Sequence, residues 1–248
     1  VKTHNFEIFG PDAPPAFMAR AATRDGACMI RGLVSLDAIE AVKAVAESAM
    51  LASGLGLLVR DADEGPDTFN LRGSGWDDPR WLDLQVRVLG DQAVDSLRMD
   101  PGLLRALSAV CGGDVRGAQG DIVRIAPPGQ QHLTTRPHQD GFYIPDSQTL
   151  WTAWVPLVPC PLDLGPLAVI PASHTAGLRG HAVADLGVPE LADIEGPNTA
   201  DIADTAGIWR ASAMMPGDAL LFGSRTVHAA LPNMTRRHVR ISIDLRFR

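Results

Sequence analysis

An α+β fold, in which helices buttress an antiparallel jelly roll of two sheets, is predicted by three observations. Helical apolar periods are confined to the first 114 or so of the 248 residues. From about residue 115 onward they give way to short extended runs separated by Pro and Gly, at 121–126, 148–158, 166–170, 213–215, 218–222, 226–231 and 238–247. Helices first and many short strands afterwards is the order expected of helices packed on a double sheet. The length suits one β-rich domain, and a hydrophobic content of 46% suffices for a sizeable core. The chain is therefore expected to be a single domain over 1–248, with 1–114 mainly helical support and loop, and 115–248 the jelly-roll core.

In order, Pro11-Asp12-Ala13-Pro14-Pro15 is expected to break any regular element in residues 1–22. Cys28-Met29-Ile30 reads as a short strand. Ser35 is placed to cap a helix from Leu36, with Asp37 in its first turn and Ile39, Val42, Val45, Ala46 and Ala49 keeping a helical period. Residues 54–80 are rich in Gly, Asp and Arg and hold no period; a loop this long is functional or poorly ordered. Trp76 and Trp81 in that region cover a pocket or, more ordinarily, anchor the surface. Helices follow around 80–98 and at 101–111, the second introduced by Asp100-Pro101 and ended by Gly112-Gly113. The 175–210 insert holds six acids and no Lys or Arg between Gly180 and Trp209. It reads as a solvated loop before a substrate lid.

A formal charge of −7 argues against a nucleic-acid or anionic-membrane partner. Cys28, Cys111 and Cys160 are odd in number and far apart, giving neither a disulfide framework nor zinc spacing. With no leader pattern and no bilayer-length apolar run, a soluble cytoplasmic protein is expected. Oligomeric state is not legible.

The chemistry centres on Thr135-Arg136-Pro137-His138-Gln139-Asp140-Gly141-Phe142-Tyr143. On an extended strand, His138 and Asp140 point the same way and bring an imidazole and a carboxylate to one point. That is two-thirds of the 2-His-1-carboxylate triad that holds Fe(II) on one face and leaves three positions open. His228 is the best third ligand, following Pro216-Gly217-Asp218 and an apolar strand. A hairpin centred near Met234 would set His228 opposite Arg240. In the last strand Ile241, Ile243, Leu245 and Phe247 share one face, and Arg240, Ser242, Asp244 and Arg246 the other. If the polar face looks into a barrel, Arg240 needs an anionic partner. A dicarboxylate co-substrate provides one, gripped by the guanidinium with Ser242 assisting. Phe142, Tyr143 and Trp76 could line an apolar wall. Arg136, Arg246 and Arg124 meet an anionic substrate or are ordinary salt-bridge partners.

With Trp154-Val155-Pro156-Leu157, Gly165-Pro166-Leu167-Ala168-Val169-Ile170-Pro171-Ala172-Ser173-His174 and Asn233 before Arg240-Ile241-Ser242-Ile243-Asp244, these motifs resemble the phytanoyl-CoA dioxygenase-like Fe(II)/2-oxoglutarate oxygenases. The likeness runs from about residue 23 to the end and is most specific in 135–174 and 216–247. It implies a double-stranded β-helix (cupin-like) core, with His138, Asp140 and His228 as iron ligands. It also implies Arg240 and Ser242 on the far carboxylate of 2-oxoglutarate, and Trp154 and Thr135 lining the co-substrate pocket. His174 would be structural. Two departures are Ala230, where the family often has Ser, and a stretch from Asn233 to Arg240 one residue longer than expected, which makes Arg237 a minor rival.

The implied reaction is hydroxylation of a small molecule, natural-product-like or acyl, by O2 with release of succinate and CO2; desaturation, cyclisation or epimerisation could occur at the same iron. Asp140 favours these over halogenation, because halogenating relatives carry Ala or Gly there. The rival readings are a cupin-type metalloenzyme that needs no keto acid and a non-catalytic jelly-roll binding module.

Overall fold

The computed structural model describes residues 4–55, 78–128, 135, 137–144, 149–178, 181–182, 193–194 and 209–248. Trp76, Arg136, the bulk of the 54–80 loop and nearly all of the acidic insert lie outside them.

The N-terminal half supplies the helices. Pro15 starts a helix instead of ending one: α1 (Pro15–Asp25) has proline in its first turn, where the missing N–H costs nothing, and ends on Gly26 at φ 75°. A side chain at position 26 would collide with His174 and Thr226, so only glycine fits. After β1 (Ile8–Phe9) and β2 (Ala27–Ile30), α2 runs Leu36–Ala52 as expected. Its Ser35 does not cap through its side chain. Instead the Ser35 N–H donates to Asp100 Oδ2 at 3.0 Å, and Asp100 Oδ1 caps α5 (Pro101–Cys111) by accepting from the Leu103 N–H. One aspartate thus staples two helix starts. The helix expected around 80–98 divides at Gly90 into α3 (Pro79–Leu89) and α4 (Gln92–Arg98), because Asp91 begins a new cap on the Ala93 N–H. Trp81 lies in α3, buried in the helical core instead of anchoring the surface.

A six-stranded sheet has the order β1-β2-β8-β4-β10-β3, where β3 is Ile122–Ala126, β4 Trp151–Pro156, β8 Ala219–Gly223 and β10 Arg240–Phe247. Within this sheet, among the described residues, β1 and β2 pair in parallel and the other neighbours antiparallel. A smaller sheet pairs β5 (Leu167–Val169) with β9 (His228–Ala230) and is extended by bridges to His138 and Arg210. A separate two-stranded pair joins β6 (His181–Ala182) and β7 (Asp193–Ile194). The run 213–215 forms no strand; Met214 makes a single bridge to Cys160.

Two cores follow from strand alternation. Cys28, Ile30, Val123, Ile125, Ala153, Val155, Leu221, Ile241, Ile243, Leu245 and Phe247 point to the helices and merge with their buried faces. The opposite face contributes Met29, Trp154, Leu220 and Phe222 to a second cluster shared with Leu167, Val169 and Ala230 of the smaller sheet. At roughly 25 cal/mol per Å², this double burial is the main stabilising term. All of β10 is buried, so its polar face looks between the sheets, not at water. The expected hairpin is not formed: β9 and β10 lie in different sheets, and Arg240 faces Ala126. The segment between them crosses from one sheet to the other, pinned by Asn233 Nδ2 donating to the carbonyls of Ala126 and His238. Among the described residues, no helix is long and apolar enough to cross a membrane.

Candidate metal centre

His138 and His228 are brought together by their backbones. Each donates its N–H to the other's carbonyl at 3.0 Å, an antiparallel bridge that puts both rings on one side, with centroids 4.1 Å apart. Gln139 is extended, but Asp140 opens a helical turn (Asp140–Tyr143), so the pair is strand-like only up to Asp140. The buried Gln139 amide donates to the carbonyls of Gly177 and Arg225, locking the turn between two loops. Tyr143 sits edge-on to His138 with centroids 5.9 Å apart, and Phe142 packs on Tyr143 with nearly half its surface exposed.

Ligand atoms of His138, Asp140 and His228 all lie within 4.8 Å of one another, and all three residues are buried. Asp140 Oδ1 is 3.6 Å from each imidazole Nε2. Ligands at right angles around an ion, each at about 2.1 Å, sit about 3 Å apart, so a small contraction accommodates a metal. His228 Nδ1 is 2.9 Å from the Thr226 carbonyl, which can only accept; the proton is therefore on Nδ1, and the Nε2 lone pair faces the cluster. Burial, and then the His138 ring, push His228 down to about 3, which keeps it a neutral donor. Burial works to raise Asp140, but the Arg246 guanidinium together with the two imidazoles holds the carboxyl well below the usual carboxylate range.

The inward face of β10 continues from this point. Arg246 Nη2 is 3.3 Å from Asp140 Oδ1, and its Nη1 is 3.6 Å from Asp244 Oδ2, which accepts from Arg124 Nε at 3.0 Å. Further along, Arg240 Nη1 donates to the carbonyls of Gly165 and Leu231. Arg240 Nε and the Ser242 hydroxyl, on the same face, are buried without a hydrogen-bond partner. Burial pushes the Arg240 guanidinium down from its ordinary value. Among the described residues of this interior, three guanidiniums (Arg124, Arg240, Arg246) stand beside two carboxylates (Asp140, Asp244), a charge balance that favours an added anion.

The structure therefore gathers His138, Asp140 and His228 as the sequence predicts, and turns Arg240 and Ser242 inward. Trp154 is almost fully buried between the sheets beside Asp244 in register. Thr135 is tied to Arg124 through Oγ1 at 3.5 Å, and its carbonyl accepts from the Ala230 N–H. Arg237 is exposed, unlike Arg240. His174 is half-buried, its ring against Gly26 and its Nε2 3.2 Å from the Thr23 carbonyl. Arg124 and Arg246 are salt-bridge partners of interior aspartates. Sequence reasoning missed Thr152, whose hydroxyl donates to Asp140 Oδ2 at 2.8 Å, and Thr226. Strand alternation could have found Thr152, since it shares the inward face with Trp154; nothing local marks Thr226.

The sequence pattern described as phytanoyl-CoA dioxygenase (PhyH) matches residues 22–242. A 1-deoxypentalenic acid 11-beta-hydroxylase from Streptomyces exfoliatus is 30% identical over 167 residues, and that of Streptomyces arenae is 31% identical over 159. Each match covers 61% of this chain and 56% of the relative, so it spans little more than half of either hydroxylase. Among solved structures, the epimerase SnoN, in complex with Fe3+, alpha ketoglutarate and nogalamycin RO, superposes with TM-score 0.65 at 21% identity, covering 94% of this chain and 82% of its own. EvdO2 from Micromonospora carbonacea var. aurantiaca, complexed with 2-oxoglutarate, gives 0.60 at 18%, covering 93% and 89%. The carbocyclase SnoK gives 0.59 at 19%, covering 96% and 85%. At these identities the structural likeness establishes a shared fold.

Proposed function

The chain belongs to the phytanoyl-CoA dioxygenase (PhyH) family, and from that premise we propose that it is a non-haem Fe(II)/2-oxoglutarate-dependent oxygenase. It hydroxylates a small molecule, natural-product-like or acyl, consuming O2 and releasing succinate and CO2. The observation that carries this reading is the convergence of two imidazoles and one carboxylate, all buried, within 4.8 Å. Two imidazoles and a carboxylate with open positions suit Fe(II), whereas structural zinc sites have four protein ligands. The facing sheets are read as the double-stranded β-helix of such enzymes, in one domain.

His138, Asp140 and His228 would hold the metal. The tautomer fixed by Thr226 and the ionised state favoured by Arg246 present His228 and Asp140 as ready ligands without prior proton loss at neutral pH. Arg240 Nε and the Ser242 hydroxyl, buried and unpartnered, would receive the far carboxylate of the keto acid. The excess of interior guanidiniums fits a dianion beside a divalent cation. Trp154 and Thr135 would border that pocket. The buried setting of the triad keeps bulk water away from the reacting centre. When bound, iron and the keto acid supply the oxidising chemistry, in which decarboxylation is coupled to insertion of oxygen into a substrate C–H bond. The carboxylate at Asp140 favours hydroxylation and related oxidations over halogenation, and the likeness to two hydroxylases favours hydroxylation among them.

The test is anaerobic addition of Fe(II) and 2-oxoglutarate to the purified protein. A weak visible charge-transfer band is expected, and a succinate-release screen across acyl-CoA, amino-acid and natural-product candidates then identifies the substrate. Bound metal without a band points to a cupin-type enzyme that uses no keto acid. Absence of metal binding points to a binding module.

A further inference from the structure

The two oxygens of Asp140 have different surroundings. Oδ1 faces both imidazole Nε2 atoms at 3.6 Å and Arg246 Nη2 at 3.3 Å. Oδ2 accepts the Thr152 hydroxyl at 2.8 Å. Thr152 and Arg246 are direct register partners across β4 and β10, so their side chains leave the same face of the sheet side by side. Thr152 is fully buried, and Arg246 and Asp140 nearly so. The Arg246 backbone N–H donates to Asp121 Oδ1 at 2.8 Å, and its guanidinium closes the alternating row Arg124, Asp244, Arg246, Asp140.

We propose that Thr152 and Arg246 are positioning residues that grip the Asp140 carboxylate from opposite oxygens, so that it offers the metal Oδ1 alone. This rests on the metal-site reading above. With Oδ2 held by a hydroxyl, the carboxylate cannot swing to chelate through both oxygens. The coordination position a bidentate carboxylate would take stays open for the keto acid or O2. Arg246 keeps the ligand oxygen aimed at the imidazoles before a cation arrives to do so. Outer hydrogen bonds to a metal ligand characteristically change metal affinity by about 10- to 100-fold.

The experiment titrates metal-stripped protein with Co(II) by calorimetry, and records the thermal midpoint and the anaerobic Fe(II)/2-oxoglutarate band for the same variants. Thr152→Val keeps the volume and the strand preference but removes the hydroxyl; Thr152→Ser keeps the hydroxyl. Thr152→Val should bind Co(II) about 10- to 100-fold more weakly, with a reduced band at equal 2-oxoglutarate and a near-native thermal midpoint, while Thr152→Ser binds like wild type. Arg246→Lys, which keeps the charge but loses the planar fork, should weaken Co(II) by about 10-fold. If Thr152→Val is poorly folded, Thr152→Ala is read in its place. Wild-type affinity in the hydroxyl-free variant, or equal losses in Thr152→Ser and Thr152→Val, overturns the grip while leaving the metal site standing. A wild-type protein that takes up no Co(II) overturns both.

Discussion

The two faces of the six-stranded sheet are made by the same strands and obey different rules. On β10, Ile241, Ile243, Leu245 and Phe247 join the helical core, while Arg240, Ser242, Asp244 and Arg246 are equally buried on the reverse. The helix-facing side is held by non-directional burial, which tolerates changes that conserve volume. The inward side of β10 itself is lined by charges and aimed hydrogen bonds, where losing one partner strands another. On β10 the helix-facing residues therefore serve stability and the inward ones the proposed chemistry, and substitutions should separate them.

The largest effect is expected at the carboxylate. Asp140→Gly should abolish hydroxylation and lower metal affinity by more than about 100-fold, beyond the range of outer-sphere changes. It also leaves Arg246 buried without its closest anion, a cost of about 3–5 kcal/mol. Succinate release and Co(II) titration check the first part, urea unfolding the second; full activity in this variant would mean the ligand is misplaced. Next, Arg240→Met should raise the apparent KM for 2-oxoglutarate by about 30-fold or more, equivalent to at least 2 kcal/mol, with Co(II) affinity unchanged. An unaltered KM would move the anchor to another residue.

On the other face, Ile243→Ala should cost about 2–5 kcal/mol of stability while metal affinity stays at the wild-type value. A parallel loss of metal binding would show that the two faces are not separable. The smallest contrast is in pH. Burial keeps His228 neutral down to about pH 3, whereas an unfolded histidine takes its proton near pH 6.5. In the metal-free protein the unfolded state therefore binds the extra proton across that window. Stability falls as pH drops from about 6.5 to about 3, by at most roughly 1.4 kcal/mol per unit. On the helix-facing side, burial raises Cys28 to about 12. Its contribution is intact below the unfolded thiol value of about 8.5 and declines as pH rises from there toward 12. Urea midpoints at acid, neutral and alkaline pH, in His228→Ala and Cys28→Ala backgrounds, separate the two slopes.

Much of this was legible in the chain. Helix starts with Pro at the first position, strand alternation and the order of helices before strands are local signals, and α2, α5, β3 and β10 fall where those signals put them. The exceptions are instructive. Pro14-Pro15 reads as a breaker but begins α1, because proline both stops and starts helices. The turn-like run at Leu231–Thr235 reads as a hairpin but carries the chain between sheets, because a turn signal does not say which strand comes next.

What the sequence determined by itself is the set of reactive side chains and the two-faced pattern of the last strand, since residue type and period are properties of neighbours in the chain. What only the tertiary structure decided is which side of that strand meets the interior, that His138 and His228 pair backbone to backbone, and that Thr152 and Arg246 close on opposite oxygens of Asp140. Those contacts join residues distant in sequence, and their register is fixed by packing two sheets against each other, a constraint no local stretch contains.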